Sequence, residues 1–149
     1  MTDIPRRIPA HKGEVILASA RDSMLYEQFK FASARRVENT IYVSGVIAAP
    51  QRDESRDVAA FKTQLRRAFG QIGETLKAAG ASFANVVMLN TFHVWTSANF
   101  EGDRNAQLAA FIEVKDEFMS PPHPAWTAVG TTGLALDTGV VEIQAIAQL

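Results

Sequence analysis

The chain has 149 residues, 47% of them hydrophobic, with a formal net charge of −1 and no cysteine. That length and apolar share fit one globular domain spanning residues 1–149 and speak against disorder or a repeat array. The charge balance offers no positive excess for a phosphate backbone, so nucleic acid is not an expected partner, and without cysteine there is no disulfide, thiolate nucleophile or Cys-ligated zinc. The amino end, Met1 to Arg7, lacks a long apolar core, and no stretch is long enough to span a bilayer; a cytoplasmic protein without a membrane partner is the default expectation.

In chain order, residues 1–20 read as an amino-terminal extension and first strand, with Glu14 to Ser19 as that strand. Phe29 to Val37 alternates into a second strand. Glu38-Asn39 is a tight turn, and Thr40 to Ile47, rich in β-branched and aromatic residues, completes a hairpin. Gly45 inside this strand predicts a bulge or a close approach of another group to the backbone. After the polar loop Gln51 to Arg56 the period changes. Phe61, Leu65, Ala68, Phe69, Ile72, Leu76 and Ala79 mark one apolar face of a helix that Gly80 ends. Asn85 to Trp95 is a strand apolar on both faces, hence central. A second helix runs from about Asn105 to Met119 and is stopped by Pro121-Pro122.

The carboxyl end is the most informative segment. Pro121 to Gly130 leads through a Gly-bearing turn into the strand-like run Gly139 to Ala147. A period of two puts Val141, Ile143, Ala145 and Ala147 on one face, and Val140, Glu142, Gln144 and Ile146 on the other. Glu142 is therefore a lone acid in an apolar strand. It is either solvated on the open face of a sheet, or partly buried with a raised pKa suited to acid–base work. The predicted order β-β-β-α-β-α-β-β describes an α+β domain with two helices packed on one face of a mixed sheet.

Familiar chemical motifs are mostly missing. Gly130, Gly133 and Gly139 have the wrong spacing for a phosphate loop and no helix follows them, so no nucleotide cofactor is expected. His11, His93 and His123 lie far apart with no i, i+4 pair, and no metal is expected. His93, on a strand, reads as a packed, hydrogen-bonded imidazole. Ser44 beside Gly45 lacks the strand-to-helix turn of a nucleophile elbow. Trp95 and Trp126 are core or interface aromatics by default.

Three segments together resemble the YjgF/Rid family of reactive-intermediate deaminases, whose members are often labelled endoribonuclease L-PSP-like. They are the hairpin Phe31 to Gly45 with its Val43-Ser44-Gly45, the helix end Leu76 to Ser82, and the close Val141 to Ala147. The resemblance runs in the family's order from about Lys30 to Leu149. It implies a chorismate-mutase-like fold and a homotrimer that binds a small-molecule ligand in clefts between neighbouring subunits. It also implies cofactor-free hydrolysis of enamines and imines, such as 2-aminoacrylate, to a ketoacid and ammonia.

Carried over position by position, the resemblance aligns Glu142 with the glutamate that positions the attacking water, and places Ser44 and Gly45 beside the cleft. Where active deaminases have an arginine after a Pro-Ala pair, this chain has Trp126, followed by Thr127. An indole gives one neutral hydrogen bond and cannot replace a bidentate cation. The family's strand tyrosine aligns with Phe31, which has no hydroxyl, and its second-helix asparagine falls near Ile112 or Glu113. The run Pro121-Pro122-His123-Pro124-Ala125-Trp126-Thr127-Ala128-Val129-Gly130 is similar to that of a YjgH-type branch lacking the arginine. Losing one desolvated charged contact to a carboxylate costs roughly two to three orders of magnitude in binding or rate. A ligand that is flatter and less charged than a 2-imino acid, stacking on Trp126, is therefore expected. Three readings follow: a hydrolase or deaminase using Glu142, with Trp126, Phe31, Ser44, Gly45 and Thr127 lining the cleft; a non-catalytic ligand binder or sensor; and, fitting least, a ribonuclease or translation inhibitor.

Overall fold

The computed structural model describes residues 3–149, and its framework is a seven-stranded sheet in the order β1-β2-β3-β4-β7-β5-β6. The strands are β1 (Arg6–Ala10), β2 (Gly13–Leu17), β3 (Ala34–Val37), β4 (Thr40–Ala48), β5 (Val86–His93), β6 (Ala125–Gly130) and β7 (Val141–Gln148). All neighbours pair antiparallel except β5 and β6, which run parallel with α3 (Arg104–Phe118) as their crossover.

α2 (Val58–Ala78) starts at Asp57, whose carboxylate accepts from the Ala60 amide, and closes near Gly80, whose φ of 81° a side chain would disfavour. Its predicted apolar stripe, Phe61 through Ala79, is buried at every position. It meets Phe111 and Val114 of α3 and the inward rows of β4, β5 and β7 in one core. Phe69 is central to that core, with Phe111 at 5.7 Å and Phe118 at 5.3 Å between ring centroids. A fully buried side chain such as Phe69 or Phe111 contributes about 1.5–3 kcal/mol. The expected α+β sheet with α2 and α3 packed on one face is therefore observed.

The amino-terminal third departs from the expected order, which becomes β-β-α-β-β-α-β-α-β-β. β1 is an additional edge strand, and the expected strand Phe29 to Val37 is replaced by α1 (Ala20–Phe29), a short connection and β3. α1 is fixed by its ends: Ser19 accepts from the Asp22 amide, and Lys30 turns left-handed at φ 62°. It buries none of its residues, so no apolar stripe announced it. It lies on the face opposite α2. Arg7, opposite Ile16, reaches the Ala78 carbonyl at the end of α2, whereas Arg6, opposite Leu17, reaches Glu27 and Tyr26 of α1. Among the described residues no helix is long and apolar enough to cross a membrane.

Candidate active site

Strand register organises the helix-free face of β4, β7, β5 and β6 into three rows. Tyr42, Ile146, Met88 and Ala125 form an apolar row; Gln144, Asn90 and Thr127 form a polar row beside Ser44 and Gly45; Ile47, Glu142, Phe92 and Val129 form the third. The polar row is tied by the Asn90 amide donating to Gln144 Oε1 at 3.2 Å.

Glu142 owes its placement to a bulge. Between the pairs Val43–Ala145 and Val46–Ile143, Ser44 and Gly45 together face Gln144 alone. Gly45 then lies directly beneath the Glu142 side chain: a Cβ there would stand 2.7 Å from Glu142 Cδ and 2.8 Å from Cγ. Both expectations for Gly45, a bulge and a close approach, are met in one feature. Ser44 secures the bulge, its hydroxyl donating to the Ala32 carbonyl at 2.6 Å and its amide to the Ser33 carbonyl at 2.9 Å. It is a framework residue by its contacts.

Above the carboxylate opens a concavity of about 330 Å³, lined by Gly45, Phe92, Glu142, Gln144, Thr131 and the segment 133–135. That volume is at the lower end of small-molecule sites. Glu142 is half-buried and makes no ion pair among the described residues, and desolvation raises its carboxyl above the usual range. Of the two readings left open by the sequence, the partly buried acid is the one observed.

Trp126 points the other way. It pairs with Leu89, so its ring falls on the helix face, stacked on Phe111 at 5.3 Å, while its Nε1 donates to Thr91 Oγ1 at 2.9 Å. Within one chain it does not share the concavity with Glu142. Phe31 is exposed on the connection before β3, and Thr127 is exposed on the open face in the polar row. Gly45 and Glu142 thus come together, Ser44 and Thr127 lie along the adjoining row, and Trp126 and Phe31 stand apart from them.

Trp126 begins a buried chain that sequence reasoning missed. Gln107 of α3 gives its amide nitrogen to the Val94 carbonyl at 3.1 Å, leaving its oxygen to accept from His93 Nδ1 at 2.9 Å. The other ring nitrogen of neutral His93 then accepts from the Thr91 hydroxyl at 2.8 Å, and Thr91 in turn accepts from Trp126. Every donor has an acceptor only if His93 is neutral, and burial holds its pKa below the usual value. The expected packed, hydrogen-bonded imidazole is observed. Thr131, on the wall of the concavity, donates its amide to the His93 carbonyl at 2.8 Å, so this chain underlies the site.

The sheet and the Glu142 bulge can be set beside known proteins. The family model described as "Endoribonuclease L-PSP" matches residues 23–149. The chain belongs to that family. It is 34% identical over 112 residues to the RutC family protein YjgH of Escherichia coli, covering 74% of this chain and 78% of the relative. It is 29% identical over 116 residues to a 2-iminobutanoate/2-iminopropanoate deaminase of Dermatophagoides farinae, covering 78% and 83%. A solved structure of protein YjgH superposes with a TM-score of 0.65 at 33% identity, covering 84% of this chain and 88% of that one. The YjgF/Rid resemblance and its fold are thereby established, and β1, β2 and the start of α1 lie before the matched residues.

Proposed function

We propose that this Rid-family chain binds a small metabolite in clefts between the subunits of a homotrimer and hydrolyses an enamine or imine there. Water adds to the C=N carbon, a carbonyl forms and ammonia leaves. Glu142 orients the water and exchanges protons with it, while Ser44 and Gly45 hold the strand beneath. The observation that carries this reading is the half-buried Glu142 carboxylate over the Gly45 bulge, without an ion-pair partner among the described residues and the one ionisable group among those of them that line the concavity. A carboxyl raised by desolvation is a better base than an ordinary glutamate, which suits a group that must both take and return a proton.

The chain is not a standard 2-imino acid deaminase on this reading. The indole nitrogen at position 126 is committed to Thr91 and its ring to Phe111, so it supplies no fork for a carboxylate. The test compares 2-iminopropanoate, generated in situ by oxidation of alanine, with a carboxylate-free imine generated from benzylamine. Ammonia release above the uncatalysed rate is followed for wild type, Glu142→Gln and Trp126→Arg. Wild type should accelerate the carboxylate-free imine, and Glu142→Gln should lose about 100-fold of that acceleration while keeping its oligomeric state. Preference for 2-iminopropanoate would overturn the reading.

A non-catalytic binder is the second reading, favoured by the same commitment of Trp126 away from the open face. It predicts ligand binding with no acceleration of either imine. Cleavage of RNA is disfavoured, because the three rows of the open face contain no lysine or arginine and His93 is buried away from His11 and His123.

A further inference from the structure

The lining of the concavity bears on the charge of its ligand. β7 contributes Glu142 and Gln144, β4 contributes Gly45, β5 contributes Phe92, and the segment after β6 contributes Thr131, Gly133, Leu134 and Ala135. Glu142 is the sole titratable group among these, and none of the ion pairs among the described residues includes it. A half-buried carboxylate without a counter-ion is a standing electrostatic cost, which a ligand of opposite charge offsets and a ligand of like charge increases.

We propose that the Glu142 cleft selects a small planar cation built on a C=N unit, an amidinium, guanidinium or protonated imine, and rejects carboxylates. The inference rests on the cleft being the ligand site of the proposed function and names the ligand's class. Planarity follows from the walls. Phe92 lies beside Glu142 in register, and Leu134 and Ala135 add apolar surface. A delocalised cation can lay its face on the Phe92 ring while its edge donates N–H to the carboxylate. A compact ammonium would lose more hydration and gain less from these walls. The Thr131 hydroxyl, which donates to the Gly133 carbonyl, and the second lone pair of the Gln144 amide oxygen beside its bond from Asn90 can accept further N–H groups.

The experiment uses three probes of nearly one shape and three charges: benzamidinium, benzamide and benzoate. Each is titrated into the full chain at pH 7.5 by calorimetry and by amide chemical shifts of residues 131–135. Benzamidinium should bind at least about 10-fold more tightly than benzamide, and benzoate should not bind. Glu142→Gln should weaken benzamidinium by about 10- to 100-fold, the worth of one charged hydrogen bond, and so narrow or abolish its advantage over benzamide. Circular dichroism and native mass check that the variant is folded.

The outcomes separate this inference from the reading beneath it. If benzamide or benzoate binds at residues 131–135 as well as or better than benzamidinium, the cleft is a ligand site but its selectivity is not cationic, and this inference falls alone. If benzamidinium binds equally to wild type and Glu142→Gln, the carboxylate is not the selector and the inference is again overturned. If none of the three binds, the cleft is not the ligand site and both fall.

Discussion

Glu142 and Gly45 act as a pair, and the pair separates function from folding. A Cβ at Gly45 meets the end of a flexible side chain, which can swing away. Gly45→Ala should therefore cost less than about 1 kcal/mol, below the usual range for overpacking a core, yet displace the carboxylate and abolish any Glu142-dependent binding or turnover. Chemical denaturation beside ligand titration checks both halves; a large loss of stability with function intact would mean that the contact serves the fold. The raised pKa of Glu142 has its own signature. Because the folded state binds this proton more tightly than the unfolded chain, its contribution to stability is full below the unfolded pKa and is lost as pH rises through the folded pKa. Glu142→Gln should then raise the melting midpoint at pH 7, with the gain vanishing as pH falls below the ordinary glutamate range. A lowered midpoint at pH 7 would reveal a cation paired with Glu142 in the assembled protein.

At the scale of elements, the hydrogen-bonded chain from Trp126 through Thr91 and His93 to Gln107 joins β6, β5 and α3. Thr91→Val keeps the shape and removes the hydroxyl, leaving His93 Nε2 and Trp126 Nε1 without their partner. The cost should be about 2–4 kcal/mol, measured by denaturant unfolding. Nitrogen-15 spectra of the wild type should show His93 neutral and protonated at Nδ1. Its folded pKa lies below the unfolded value, so the unfolded chain takes up the proton first. This contribution to stability is complete above the ordinary histidine range and declines as pH falls through it.

The elements legible in the sequence are those whose side chains carry a strong period. α2 is one, with its buried stripe from Phe61 to Ala79, and β7 is another, with alternation that put Glu142 and Gln144 on one face. α1 was illegible because it is held by its two caps and a surface ion pair instead of an apolar stripe. The Gly45 bulge could be read from one glycine in a strand, but its partner could not, since strand register is set by pairing between segments nearly a hundred residues apart. The same holds for Trp126. Its position after Pro124-Ala125 was plain, while the face it occupies depended on its register with Leu89.

The open face sets the expectation for the whole molecule. Tyr42, Ile146, Met88 and Ala125 form an apolar row across four strands, and β6 leaves five of its six residues exposed at the sheet edge. An apolar row and an unpaired strand edge side by side are features that proteins cover. The proposed trimer covers them and places a neighbour over the mouth of the Glu142 concavity. Light scattering should give a mass of three chains. Tyr42 is the residue to test, since it is 49% exposed and contributes nothing to the core cluster. Tyr42→Glu should leave the chain folded, reduce the mass to that of one chain at micromolar concentration, and weaken ligand binding along with it, because the neighbour proposed to close the cleft's mouth departs. A wild-type mass of one chain would remove the trimer from the proposal. A Tyr42→Glu trimer would move the interface off this row and onto the edge strand β6, where Thr127 and Val129 are the exposed side chains next to the cleft.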